Sequence, residues 1–127
     1  MSHALAAWLS AFLVTQAIEI PIYVAVLRRE AQAGRARREL GLLAWIGLAF
    51  GASALTHPVV WFVIAEIPYR SYWAMAARAE LFALLSEGIY LYVLCLSDLR
   101  RALGASLLAN ASSFGLGLLL RALFGWP

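Results

Sequence analysis

Lysine is absent from this 127-residue chain, cysteine occurs once, histidine twice, and charged residues make up only 13%. Each scarcity excludes something. A single cysteine, Cys95, forms no intramolecular disulfide and builds no cysteine-rich metal centre. Two histidines, His3 and His57, are too few for bis-histidine haem, and neither a paired Glu-x-x-His nor a His-Glu-x-x-His motif is present. Ser53, Ser86 and Ser113 are expected to lack an activating base, which argues against a serine nucleophile. The low charge accompanies 64% hydrophobic residues and a mean hydropathy of +0.81, far from the soluble average of about 45–50% apolar and about 25% charged. The chain is therefore expected to be an integral membrane protein.

About 20 apolar residues cross a bilayer, so the expected fold is all-α and polytopic, with four transmembrane helices in one domain, 1–127. The spans are expected at about 4–27, 40–64, 74–96 and 102–124. The first 27 residues hold no Lys or Arg and their apolar run is too long for a signal peptide, so the first span is expected to remain. Proline lacks an amide hydrogen and clashes with the carbonyl four residues back, so the second helix is expected to break at Thr56-His57-Pro58. Such a break leaves backbone groups in need of partners, and the stretch is expected to face protein instead of lipid.

All ten basic residues are arginines, with a formal net charge of +3. Seven of them, Arg28, Arg29, Arg35, Arg37, Arg38, Arg100 and Arg101, fall in two segments, residues 28–39 and 97–101. Orientation in the membrane explains this clustering better than nucleic-acid binding. The positive-inside rule puts both segments in the cytoplasm of a bacterial cell and both termini across its inner membrane. Trp8, Trp61, Trp73 and Trp126 then fit an outer aromatic belt and Trp45 an inner one.

An ionised carboxylate near the centre of a span costs about 2.5–3.5 kcal/mol on insertion scales, so intramembrane acids are expected to face the bundle. With a rise of about 1.5 Å per residue from the cytoplasmic ends, Glu19 lies roughly 12 Å deep, Glu87 roughly 14 Å and Asn110 roughly 12 Å. They form one polar layer. His57 and Glu80, with Arg78 as the expected partner of Glu80, form a second layer nearer the outer side. Gln16, Thr56, Tyr90 and Ser113 are expected to support them. Two carboxylates in a dry layer are expected to share a proton or hold a cation, and the oxygen-rich ligand set admits a divalent metal. Gly47 and Gly51 on the second span, and Ala105, Ala109, Ser113 and Gly117 on the fourth, are small residues at four-residue spacing, expected at helix interfaces.

Read as a string, Gln16-Ala-Ile-Glu19-Ile-Pro21-Ile-Tyr23, Leu55-Thr56-His57-Pro58-Val-Val-Trp61, Glu87-Gly-Ile-Tyr90 and Ala109-Asn110-Ala-Ser-Ser113-Phe-Gly115 resemble a group of small bacterial four-span membrane proteins. The resemblance covers all four spans and implies a fold without an activity. The functional expectation is a buried carboxylate, histidine and asparagine site for a proton or divalent cation, serving transport or intramembrane chemistry. The alternative is a structural or assembly subunit of a larger membrane complex, in which the same polar residues are interhelical hydrogen bonds. The lipid bilayer is the expected partner in both cases, with a homodimer as a further possibility and no nucleic acid.

Overall fold

The computed structural model describes residues 3–125. Four helices follow one another: α1 (His3–Gln32), α2 (Leu42–Val59), α3 (Tyr72–Leu94) and α4 (Leu99–Phe124). They form an antiparallel ring in which α1 packs on α2 and α4, and α3 packs on the same two neighbours. Among the described residues there is no strand, only an isolated bridge between Ala36 and Leu96.

The second helix does not break at Thr56-His57-Pro58. The chain stays helical through Pro58 and then widens into a π-helical segment, Val60–Ile64, closed by the Ala65 amide donating to the Val60 carbonyl at 2.9 Å. The helix thus carries Pro58 without a break, and only the turn that follows it widens. Pro21 is likewise accommodated within α1.

Local signals fix the other ends. Ser71 caps α3 by accepting from the Ala74 amide, and Asp98 caps α4 by accepting from the Arg100 amide at 2.8 Å. The Asp98 cap starts α4 three residues before the expected boundary at 102. At the far end of α4 Gly125 takes φ +65°, a left-handed stop that glycine adopts without strain.

Three helical stretches, His3–Gln32, Leu42–Ile64 and Leu99–Phe124, are long and apolar enough to cross a membrane. The third helix has the length but carries Arg78, Glu80 and Glu87.

The two arginine-rich connections close one end of the ring. Arg37 donates its amide to the Cys95 carbonyl at 2.7 Å, and its Nε lies 2.8 Å from the carbonyls of both Tyr92 and Leu96. Ser97 donates its amide and hydroxyl to the Arg35 carbonyl. Beneath this seam lies the densest part of the core, with Tyr23, Leu27, Leu91, Cys95, Leu96 and Ala102 fully buried. Trp45 belongs to this core at 2% exposure, which corrects its expected place in an inner belt, because its ring fills the space beside small residues such as Ala49. Trp8 is half-buried and packs with Phe12, Phe62 and His57. Trp73 stays exposed, and Trp126 lies outside the described residues.

Small residues serve packing selectively. A side chain added to Gly51 would meet the Tyr90 hydroxyl, so this glycine lets the Tyr90 side chain lie against α2. Gly47 is exposed with open space around it, and Gly117 faces a cavity instead of a neighbouring helix, which corrects two of the expected packing positions. The buried face of α2 runs through Trp45, Ala49, Ala52, Ser53 and Thr56, and that of α4 through Ala102, Ala105, Ser106, Ala109 and Asn110.

Candidate functional site

At mid-height of the ring, Glu19 of α1 and Glu87 of α3 are both 1% exposed. Among the described residues neither meets a cationic side chain. Glu87 accepts three side-chain hydrogen bonds: from the Tyr23 hydroxyl, from Thr56 Oγ1 at 2.6 Å and from Asn110 Nδ2 at 2.9 Å. Glu19 accepts from Ser53 Oγ and from Ser113 Oγ at 2.5 Å. All four helices contribute, so the layer is a set of interhelical bonds around two carboxylates.

The local sequence explains the convergence. Glu19 and Tyr23 are four apart on α1, so both reach inward from one face. Ser53 and Thr56 are three apart on α2 and serve one carboxylate each. On α4, Ser106, Asn110 and Ser113 follow the same face, and Asn110 Nδ2 is anchored to the Ser106 carbonyl at 3.0 Å.

Two of the hydroxyls have a second acceptor within reach. Ser113 Oγ lies 3.1 Å from the Asn110 carbonyl, and Thr56 Oγ1 lies 3.3 Å from the Ser53 carbonyl. A hydroxyl carries one hydrogen and two lone pairs. Turned toward the carboxylate it donates; turned toward the backbone it leaves a lone pair that accepts from a carboxyl proton. The same cage therefore satisfies these acids with or without a proton.

Above this layer a cavity of about 370 Å³ opens toward the end of the ring opposite the arginine seam. Its floor is Glu19, Glu87, Ser53, Thr56, Asn110 and Ser113; its walls include His57, Trp61, Glu80 and Phe114; Tyr72 and Arg121 stand near its mouth. Arg121 lies over the Tyr72 ring at 5.2 Å.

The structure thus unites Glu19, Glu87, Asn110, Thr56 and Ser113, and it puts His57 and Glu80 on the same cavity. His57 is packed among Phe12, Trp61 and Trp8, and its Nδ1 is buried without a hydrogen-bond partner. Arg78 does not pair with Glu80. Residues two apart on a helix point to opposite sides, and Arg78 instead covers the Tyr69 ring at 5.2 Å. Gln16 is buried but donates to the Phe50 carbonyl at 3.4 Å, away from the carboxylates. Tyr90 packs on Gly51 and makes no hydrogen bond to either acid. His57 follows Ser53 by four residues, a spacing that fits a serine and its base and corrects the expectation that none was near. Yet the Ser53 hydroxyl is engaged by Glu19.

Sequence reasoning did not assign Tyr23, Ser53 or Ser106 to the site. Their signal was helical spacing: Tyr23 four after Glu19, Ser53 three before Thr56 and Ser106 four before Asn110.

Fold and site together define an all-helical, membrane-compatible four-helix bundle built around a buried carboxylate pair. No family model, curated protein or solved structure matches the chain, so the resemblance to small four-span proteins rests on its quoted motifs.

Proposed function

We propose that this protein is a four-span bacterial inner-membrane protein whose Glu19–Glu87 pair binds an exchangeable proton, or a cation in its place, taken from the outer cavity. The reading of α3 as the fourth span is supported by its outward face. Leu81, Leu85, Ile89 and Val93, one every four residues, are all exposed, whereas Glu87 is buried and Glu80 lines the cavity. A helix of 23 residues is about 35 Å long, enough to cross the hydrocarbon. The arginine seam is then cytoplasmic and both termini lie outside.

The observation that carries the binding reading is the cage itself: two fully buried carboxylates, five hydroxyl or amide donors and, among the described residues, no cationic partner. Intramembrane acids with such surroundings serve proton relays and ion pathways. A proton is the simpler occupant, because among the described residues no three of His, Cys, Asp and Glu gather as a metal-binding group. The cavity gives access from one side, and the arginine seam closes the other.

The test is proton uptake by the protein in sealed lipid vesicles after a pH jump on the outer face, followed with a pH-sensitive dye. Wild type is expected to take up or release protons that Glu87→Gln, inserted to the same level, does not. Equal signals from the two would leave the acids as interhelical hydrogen bonds of a structural subunit.

A further inference from the structure

Glu80 differs from the other two acids of the cavity. Glu19 accepts two side-chain hydrogen bonds and Glu87 three, whereas Glu80 has no hydrogen bond and no ion pair among the described residues. It lies eight residues into α3, about 12 Å from the outer end of that helix. A half-buried, unpartnered carboxylate at that depth is costly unless something complements it.

Its position also differs. Glu80 lines the cavity above the carboxylate layer and, at the same time, a second, shallow cleft of about 340 Å³ between α3 and α4. That cleft is walled by Leu81, Leu84, Leu107 and Ala111, and Leu81 and Leu107 are more than half exposed, so it opens on the face turned to lipid. Phe114 and Asn110 are shared by the two chambers. A cavity of ligand-binding size with a polar floor therefore adjoins a shallow aliphatic cleft, with an unpaired carboxylate and an aromatic ring at the junction.

We infer that Glu80 is the anchor for the ammonium head of a long-chain amine that enters from the bilayer between α3 and α4. The head lies in the larger cavity, where the carboxylate gives it a charge-assisted hydrogen bond and Trp61 and Phe114 offer aromatic walls. The alkyl chain lies in the leucine-lined cleft and passes into lipid. The ammonium belongs either to a free alkylamine or to an aminophospholipid, and the test separates these sources. The inference goes beyond the proton reading and does not depend on it, since Glu80 lies outside the Glu19–Glu87 pair.

The experiment is photolabelling of the full-length protein in mild detergent with a diazirine-bearing long-chain primary amine, beside its N-acetyl analogue and a diazirine-bearing phosphatidylethanolamine. Labelled residues are mapped by mass spectrometry. The amine is expected to label the cleft walls at residues 81–84 and 107–111, and the uncharged analogue to label them about tenfold less, the effect of losing one hydrogen bond to a charged group. Glu80→Gln is expected to lower amine labelling by a similar factor. Labelling by the free amine alone supports a free amine as the source, and labelling by phosphatidylethanolamine as well supports an aminophospholipid. Equal labelling by amine and N-acetyl analogue, or amine labelling unchanged in Glu80→Gln, overturns the inference. If Glu80→Gln does not fold, Phe114→Trp takes its place: a larger ring at the junction is expected to reduce labelling of the cleft by the amine, and unchanged labelling again overturns it.

Discussion

Glu30 and Glu87 are both buried glutamates, at 7% and 1% exposure, yet the molecule treats them in opposite ways. Glu30, at the arginine seam, pairs with Arg35 at 2.6 Å and with Arg101 at 3.3 Å. Glu87, at mid-height, meets only neutral donors. One acid has its charge answered inside the protein, in a region closed by two connected loops. The other has its hydrogen bonds answered and its charge left open, at the floor of a cavity. The first arrangement is structural cement; the second leaves room for a proton or cation to complete it.

Removing each side of this contrast is expected to have unequal effects. Glu87→Ala strands the Tyr23, Thr56 and Asn110 donors, and at about 0.6–1.7 kcal/mol per interhelical bond it is expected to destabilise the bundle by about 2–5 kcal/mol. Reversible unfolding in mixed micelles reads this directly, and a loss near zero would show that the cage is not formed. Glu87→Gln keeps the shape and one acceptor oxygen, which can take the Tyr23 and Asn110 bonds while Thr56 turns to the Ser53 carbonyl, so its insertion and fold are expected to survive while proton binding is lost.

Close packing in the closed half gives the next effect. A side chain added at Gly88 would lie 2.6 Å from Leu103 Cδ2 and 3.3 Å from Leu103 Cα, so both a side chain and backbone stand in the way. Gly88→Ala is therefore expected to cost about 1–3 kcal/mol in the same unfolding measurement. Gly51→Ala meets only the end of the Tyr90 side chain, which can swing aside, and Gly47→Ala meets open space; the expected order is Gly88, Gly51, Gly47. A different order would contradict the α3–α4 and α2–α3 contacts described above.

His57 tests the cavity half. Its Nδ1 has no partner and its ring lies among Phe12, Trp61 and Trp8, so His57→Phe is expected to change stability by no more than about 0.5 kcal/mol. Loss of proton exchange in that stable variant would add His57 to the path between the acid pair and the outer side.

The smallest effect is expected at the seam and depends on pH. The Arg35 guanidinium, by hydrogen bond and with Arg101 by charge, holds the Glu30 carboxyl below its ordinary value of 4.5. A lowered carboxyl contributes stability that is complete above the ordinary value and is lost as pH falls through the lowered one. Unfolding followed from pH 7 to pH 3 is expected to show this decline in wild type and less of it in Arg35→Gln. An identical acid decline in both proteins would separate the seam from acid stability.

The layer of Glu19, Glu87 and Asn110 was legible in the sequence because apolar spans force costly polar residues inward, and helical rise then sets their depth. The donors Tyr23 and Ser53 were harder to read, since hydroxyls are cheap on any helix face and announce themselves only through spacing to an acid. The path through Pro58 was not legible. Whether a proline breaks a helix or is carried through it depends on what packs around it, and here Thr56 and His57 are both held by neighbouring helices. The separation of Arg78 from Glu80 was readable from their two-residue spacing, which places them on opposite sides of α3. Trp45 shows the limit of belt arguments: a tryptophan near the end of a span enters the core when small residues leave space beside it.

The most direct test of the account is the infrared spectrum of the protein in lipid bilayers at pH 7, wild type beside the double variant Glu19→Gln, Glu87→Gln. The account predicts a protonated-carboxyl band in wild type that responds to deuterium exchange and is absent from the double variant. A wild-type spectrum without that band, in protein that elemental analysis shows to carry no bound cation, or a band that survives unchanged in the double variant, would contradict it.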